Sequence, residues 1–177
     1  MDRRQKKTRN AIFKAFSRLL EKKKYENITV QEIIDEANVG RSTFYSHFET
    51  KDYLLKSMCS DIFDHIFKGD DPSCKPEYNT LQGKLAHILW HLNDHKSDVL
   101  GILLSESADI FMKYIKEYLF MLFKMHINEF KVDVPEDFLV NHLVGSFSEA
   151  IYWWVKKRME IPSEEIAKYF MKSIETH

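Results

Sequence analysis

Apolar residues recur along this chain at steps of three and four almost from end to end, the period of helices that bury one face. Ile12, Ala15, Phe16, Leu19 and Leu20 follow i, i+3, i+4, i+7, i+8 and predict a first helix of about four turns starting near Thr8. Its opposite face is basic. Thr29-Val30-Gln31-Glu32 has the spacing of a capping box, which starts a second helix at Thr29. The stripe of that helix, Val30, Ile33, Ile34 and Ala37, stops at Asn38-Val39-Gly40, where Asn and Gly both tolerate the left-handed backbone of a tight turn. Arg41 to His47 predicts a short third helix. Thr50 caps a longer fourth one carrying Leu55, Met58, Cys59, Ile62 and Ile66.

Residues 69–79, GDDPSCKPEYN, collect helix breakers and polar residues and predict a linker or exposed loop. Beyond it come a helix with Leu85, Ile88, Leu89 and Leu92, a shorter one from Val99 to Leu104, and a long one from Ser107 to Phe130. Pro135 suits the first turn of the next helix. There Val140, Leu143, Val144, Phe147, Ile151 and Trp154 form an apolar seam, with Gly145, Ser146, Ser148 and Ala150 keeping parts of the helix slim. After Pro162 and Ser163, a last helix adds Ala167, Phe170, Met171 and Ile174. This helical hairpin serves either as an intrachain core or as half of a four-helix bundle between two copies. With only five glycines and four prolines, the chain reads as all-α, with about nine helices.

Charge divides the chain where composition does not. The net charge is -1, yet residues 1–51 hold 12 Lys and Arg against 7 Asp and Glu, whereas residues 52–177 hold 14 against 20. A basic head on an acidic body points to a polyanion partner for the head, or to lysines that only solubilise an exposed helix. Two cysteines, Cys59 and Cys74, are too few for a disulfide framework. No signal peptide follows the basic N-terminus, and no apolar run reaches the length of a membrane span. A cytoplasmic protein with no membrane partner is therefore expected.

Two short helices joined by a tight turn, the second too polar for a core, form the helix-turn-helix plan. Arg41, Ser42, Thr43, Ser46 and His47 are side chains of the kind that meet base edges and phosphates in a major groove, and Phe44 and Phe48 supply an apolar underside. Residues 28–55, ITVQEIIDEANVGRSTFYSHFETKDYLL, resemble the DNA-binding signature of the TetR family, including the Thr-Phe-Tyr-x-His-Phe run and the following Lys51. With the basic helix before it, the resemblance covers residues 3–66. One departure is Asn38-Val39-Gly40, where many members have Gly-Val-Ser. The final stretch, FLVNHLVGSFSEAIYWWVKKRMEIPSEEIAKYF, resembles the C-terminal domain of a Firmicute-type subgroup that includes the dihydroxyacetone kinase regulators.

The resemblance implies a three-helix DNA-binding domain in residues 1–50 and a helical effector-binding and dimerisation domain in residues 51–177. Arg41, Ser42 and Thr43 would face bases or nearby phosphates, Tyr45 and His47 would hold the backbone, and Lys51 would clamp a phosphate. Thr29, at a helix N-terminus, would present amides to phosphate. Val140, Val144, Phe147, Ile151, Trp154, Phe170 and Ile174 would form the dimer. A homodimeric repressor on a pseudopalindromic double-stranded DNA operator is expected, its binding modulated by a small-molecule effector. The alternative is a co-regulator that works through protein contacts without sequence-specific DNA binding.

Trp90, Phe111, Tyr114 and Tyr118 supply aromatic lining and polar handles for an effector pocket, although a stripe of this period is also ordinary core. His87, His91 and His95 fall at i, i+4, i+8, so two neighbouring imidazoles could share a metal. No Cys, Asp or Glu is tied to them by a known spacing, and neither a metal nor a cofactor is expected. There is no Gly-x-Ser-x-Gly, no phosphate-cradling glycine loop and no paired nucleophile and base, so an enzyme is not expected either.

Overall fold

The computed structural model describes the backbone of residues 3–68 and 79–174 and the side chains of residues 3–60 and 79–174. The predicted linker at 69–79 thus lies, but for Asn79, outside the described residues, as do the side chains of Ile62 and Ile66. Among the described residues there are nine α-helices and no strand. The chain forms two compact units, Met1–Asp61 with Ser97–Phe111, and Ile62–Lys96 with Met112–His177.

In the first unit α1 (Arg3–Lys22) buries Ile12, Ala15, Phe16 and Leu20, and α2 (Val30–Ala37) packs on it with Ile33 and Ile34. A short 3-10 turn at Tyr25–Asn27 joins them. Next come α3 (Arg41–His47) and the start of α4 (Lys51–Lys68), whose Leu54, Leu55, Met58 and Cys59 are buried. Inside this core the Ser17 hydroxyl donates to the Met58 Sδ at 3.7 Å. The rest of the unit comes from far along the chain, with α6 (Lys96–Leu103) and the start of α7 (Ala108–Met125). The last carbonyls of a helix have no partner within it. Here the Ser105 hydroxyl donates to the Leu20 carbonyl and the Ser107 hydroxyl to the Lys23 carbonyl, each at 3.0 Å. Residues more than eighty positions away thereby complete the end of the first helix.

The turn between α2 and α3 occupies three residues. Asn38 takes the left-handed backbone, φ 51° and ψ 51°, and the Val39 amide reaches back to the Ile34 carbonyl at 3.2 Å. Gly40 has an ordinary extended φ of -72°, and its carbonyl starts α3 by accepting from the Phe44 amide at 2.9 Å. A Cβ on Gly40 would meet nothing closer than Thr43 Oγ1 at 3.5 Å, so the conformational demand of the turn rests on Asn38.

The second unit holds α5 (Leu81–Asp94), most of α7, α8 (Glu136–Lys156) and α9 (Ser163–Ile174), with α9 packed on both α5 and α8. The hairpin seam lies in this core. Val140, Val144, Phe147, Ile151, Trp154 and Phe170 are buried, and Ile174 is half-buried. The Phe147 and Phe170 rings meet at 4.8 Å with Phe123 beside both, and the Trp154 indole N–H donates to the Ile161 carbonyl at 2.7 Å. Of the two readings of the seam, an intrachain core or half of a bundle between two copies, the burial of these side chains within their own chain fits the first, with Phe123 of α7 and Phe170 of α9 packed against Phe147. No helix among the described residues is long and apolar enough to cross a membrane.

An L residue in the left-handed region costs about 1–2 kcal/mol, a cost that Asn and Gly largely escape. Replacing Asn38 by Ala should therefore lower stability by about 1 kcal/mol, while Asn38→Gly leaves it nearly unchanged. Urea unfolding of the two variants checks this, and equal losses would show that the turn does not depend on that conformation.

Candidate nucleic-acid interface

α3 has only seven residues, and its sequence divides them into two faces. Phe44 and Phe48, the residue that closes the helix, are fully buried. Phe48 lies 6.0 Å from Phe44 and 5.6 Å from Phe13 of α1, and the Arg9 guanidinium sits 5.1 Å from the Phe48 ring and 4.9 Å from that of Phe13. The opposite face turns Arg41, Ser42, Tyr45 and Ser46 to solvent, with Thr43 and His47 half-buried at its edges. Tyr45 stands edge-on to Phe44 at 5.4 Å, which holds its ring while leaving it 44% exposed. The Ser46 hydroxyl donates to the Thr43 carbonyl at 2.7 Å and so is engaged with its own helix. Arg41, Ser42, Thr43 and Tyr45 thus share one short surface able to hydrogen-bond to phosphates and base edges.

Thr29 and Lys51 are placed differently. At the start of α2 the Glu32 amide donates to the Thr29 hydroxyl at 3.2 Å, and the Thr29 amide donates to the Glu32 carboxylate at 2.9 Å, which closes the capping box. The Lys23 ammonium binds the other oxygen of that carboxylate. Hydrogen bonds from Lys23, then from the Thr29 amide and hydroxyl, lower the Glu32 pKa to about 2. The amide that Thr29 was expected to offer a phosphate is held by the chain's own carboxylate. The Lys51 ammonium donates to the Tyr25 and Ile28 carbonyls at 2.8 Å each, lies 3.4 Å from the Glu26 carbonyl, and stands 4.3 Å from the Tyr25 ring centre. Burial pushes its pKa down, against the carboxylates of Glu26 and Glu32, which raise it. With its donors on carbonyls, Lys51 ties the start of α4 to the segment before α2. The sequence reading missed Lys23, whose nine-residue separation from Glu32 follows no helical period, and Arg9, whose i, i+4 spacing to Phe13 was legible.

The candidates in the body belong to different helices and units. Phe111 is buried in the first unit, whereas Trp90 is 43% exposed on α5 and Tyr114 and Tyr118 are half-buried on α7 in the second. The Trp90 ring lies 4.7 Å from His91 and 6.2 Å from His87, and those two imidazoles meet with their Nε2 atoms 2.9 Å apart. His95 is exposed at the end of α5. Among the described residues no three His, Cys, Asp or Glu side chains gather as metal donors do.

Comparison with known proteins divides the chain by sequence, so that Ser97–Phe111 of the first unit falls in the C-terminal match. Residues 12–58 match the family described as bacterial regulatory proteins, tetR family, and residues 79–176 match a transcriptional regulator C-terminal region. The crystal structure of a TetR transcriptional regulator from Streptococcus agalactiae 2603V is 39% identical, with a TM-score of 0.72, over 99% of this chain and 97% of that one. YerO of Bacillus subtilis, an uncharacterized HTH-type transcriptional regulator, is 30% identical over 81% of this chain and 48% of its own length. DhaS of Lactococcus lactis, an HTH-type dhaKLM operon transcriptional activator, is 27% identical over 50% of this chain and 45% of its own. The matched stretches thus span less than half the length of these two relatives.

The cluster at Glu32 gives this surface a dependence on pH. A carboxyl that titrates at about 2 in the fold, against an ordinary 4.5, stabilises the folded state fully above its unfolded value and loses that contribution as pH falls toward 2. Thermal stability of the natural chain should therefore fall more steeply with acidification below about pH 5 than that of Glu32→Gln. Parallel curves for the two proteins would remove the carboxylate from the acid response.

Proposed function

The chain belongs to the TetR family of helix-turn-helix transcriptional regulators, and from that membership we propose that it is a homodimeric repressor of a pseudopalindromic operator, released by a small-molecule effector. The observation that carries the DNA-binding part is the two-faced α3, with Phe44 and Phe48 buried beneath exposed Arg41, Ser42 and Tyr45. In this reading residues 1–50 bind DNA. Arg41, Ser42 and Thr43 meet bases and adjacent phosphates, Tyr45 and His47 hold the backbone, and Lys51 and Thr29 act by positioning, through the carbonyls and the capping box they hold. Residues 51–177 dimerise and sense an effector, with Trp90, Tyr114 and Tyr118 as its candidate contacts. The protein works in the cytoplasm and catalyses nothing itself. Repression is the sign we adopt, while the relative DhaS is an activator.

The dimer surface is the outer face of α8 and α9. Phe138, His142, Gly145, Glu149 and Trp153 fall in one stripe at steps of three and four, with Phe138 62% and Trp153 46% exposed, and Tyr169 of α9 is 51% exposed. Gly145 is the telling residue. A glycine inside a helix costs about 1 kcal/mol relative to Ala, and a Cβ there would meet nothing within 4 Å, so its own fold does not require it. Close approach of a second helix does.

Two experiments test these readings. Fluorescence anisotropy on a duplex from upstream of the chain's own gene, against a scrambled duplex of equal length, should show preference for the first, with Ser42→Ala or Thr43→Ala altering that preference. Lys51→Ala should weaken both duplexes alike and leave the slope against salt at its natural value. Equal affinity of the natural protein for the two duplexes would favour the co-regulator reading. For the dimer, Gly145→Arg should give monomers by light scattering with helicity unchanged; a persistent dimer would rule out this face.

A further inference from the structure

The outer face of α1 is cationic for about three turns. Arg3, Lys6, Lys7 and Lys14, with Asn10 and Ala11 between them, line a shallow groove on that face, and all four cations are exposed. None makes an ion pair among the described residues. Lys23 and Lys51 of the same unit, by contrast, are held by a carboxylate and by carbonyls.

This placement works against the helix itself. The N-terminal end of a helix already carries about half a positive charge, and within α1 the first turn contains no acidic residue, a single carboxylate, Asp2, preceding it in the sequence against Arg3, Arg4, Lys6 and Lys7. Arg3 and Lys7, at i and i+4, repel one another as well. Cations added only for solubility would be better placed in the last turn. A local arrangement that opposes its own element is expected at a functional site, and an anion outside the chain would relieve it.

The neighbourhood of the stripe identifies that anion. Arg9 lies 5.1 Å from the ring of Phe48, the residue that closes α3, so the N-terminal half of α1 runs beside the end of the reading helix within one unit. From Arg3 to Lys14 the helix rises about 16 Å. Phosphates of one DNA strand succeed each other every ~3.4 Å along the axis, so the stripe spans about five of them.

We propose that the outer face of α1, through Arg3, Lys6, Lys7 and Lys14, is a second DNA contact, one that tracks the sugar-phosphate backbone beside the groove α3 enters. It carries affinity and no sequence preference, because cations facing phosphates read charge alone. The proposal rests on the DNA-binding reading above.

The test compares the full-length natural protein with a variant carrying Arg3→Gln, Lys6→Gln, Lys7→Gln and Lys14→Gln, titrated against the upstream and scrambled duplexes over a range of salt. Both affinities should fall by the same factor, at least about tenfold at low salt. The slope of log affinity against log salt should flatten by about 0.9 for each phosphate that the variant no longer neutralises. The variant's melting temperature should be equal or higher, since its helix no longer opposes its own dipole, and replacing the three lysines by Arg instead should keep the natural slope. A variant that binds DNA with the natural slope would overturn the proposal, as would a weakening confined to the upstream duplex. Retained DNA binding with abolished binding to vesicles of anionic phospholipid would also overturn it, in favour of a lipid surface. If the natural protein binds neither duplex, it is the DNA-binding reading that fails.

Discussion

A helix of seven residues cannot hold its shape in water, where even helices of ~12 residues are marginal, so the surface presented by α3 exists only because Phe44 and Phe48 are buried beneath it. Burying each ring contributes about 1.5–3 kcal/mol, enough to fix both the helix and the direction in which Arg41, Ser42 and Tyr45 point. The Asn38 turn sets the angle at which α3 leaves α2, and Phe13 and Arg9 of α1 close the far side of Phe48. Every polar group on the reading face is thus positioned by apolar groups on the other side. That suits a surface whose own hydrogen-bonding groups must stay available for a partner.

The first unit sorts its charges by the same logic. Glu32 is paired with Lys23 and locked into the capping box, and Lys51 is drawn onto the carbonyls of Tyr25 and Ile28. These inward-facing groups stiffen the segment between α1 and α2 and the start of α4. Arg41 of α3 and the cations on the outer face of α1 are exposed. A net positive head therefore divides into charges that build the scaffold and charges that point away from it, and the second group faces the solvent through which a polyanion would approach.

Much of this was legible in the sequence, for identifiable reasons. The Thr29–Glu32 box, the end of α2 at Asn38 and the apolar underside of α3 are local patterns, and local patterns are what periodicity and capping rules read. The seam of Val140, Val144, Phe147, Ile151 and Trp154 was legible as a buried stripe, but periodicity says that a face is covered and not by which chain. Gly145 lies on the opposite side of the same helix, where a Cβ would meet nothing within 4 Å, and that open space is visible only in the fold. Lys51 was read from its resemblance to a phosphate clamp, and its contact with carbonyls more than twenty residues earlier follows no spacing rule. Ser105 and Ser107 gave no sequence signal at all, since a serine that caps a distant helix looks like any serine in a turn.

Those two serines have a practical consequence for anyone who builds hybrid regulators by exchanging heads and bodies. A graft made at the end of the third helix would carry the reading surface but leave the carbonyls of Leu20 and Lys23 without the hydroxyls that receive them. It would also set Glu21 against whatever foreign residue replaced Gly101, where a Cβ would fall 2.3 Å from the Glu21 side chain. The portable module is discontinuous, made of the N-terminal segment and the stretch around residues 97–111 together. A hybrid that moves both segments keeps the first helix finished at its C-terminal end; one that moves the first alone inherits an unfinished scaffold.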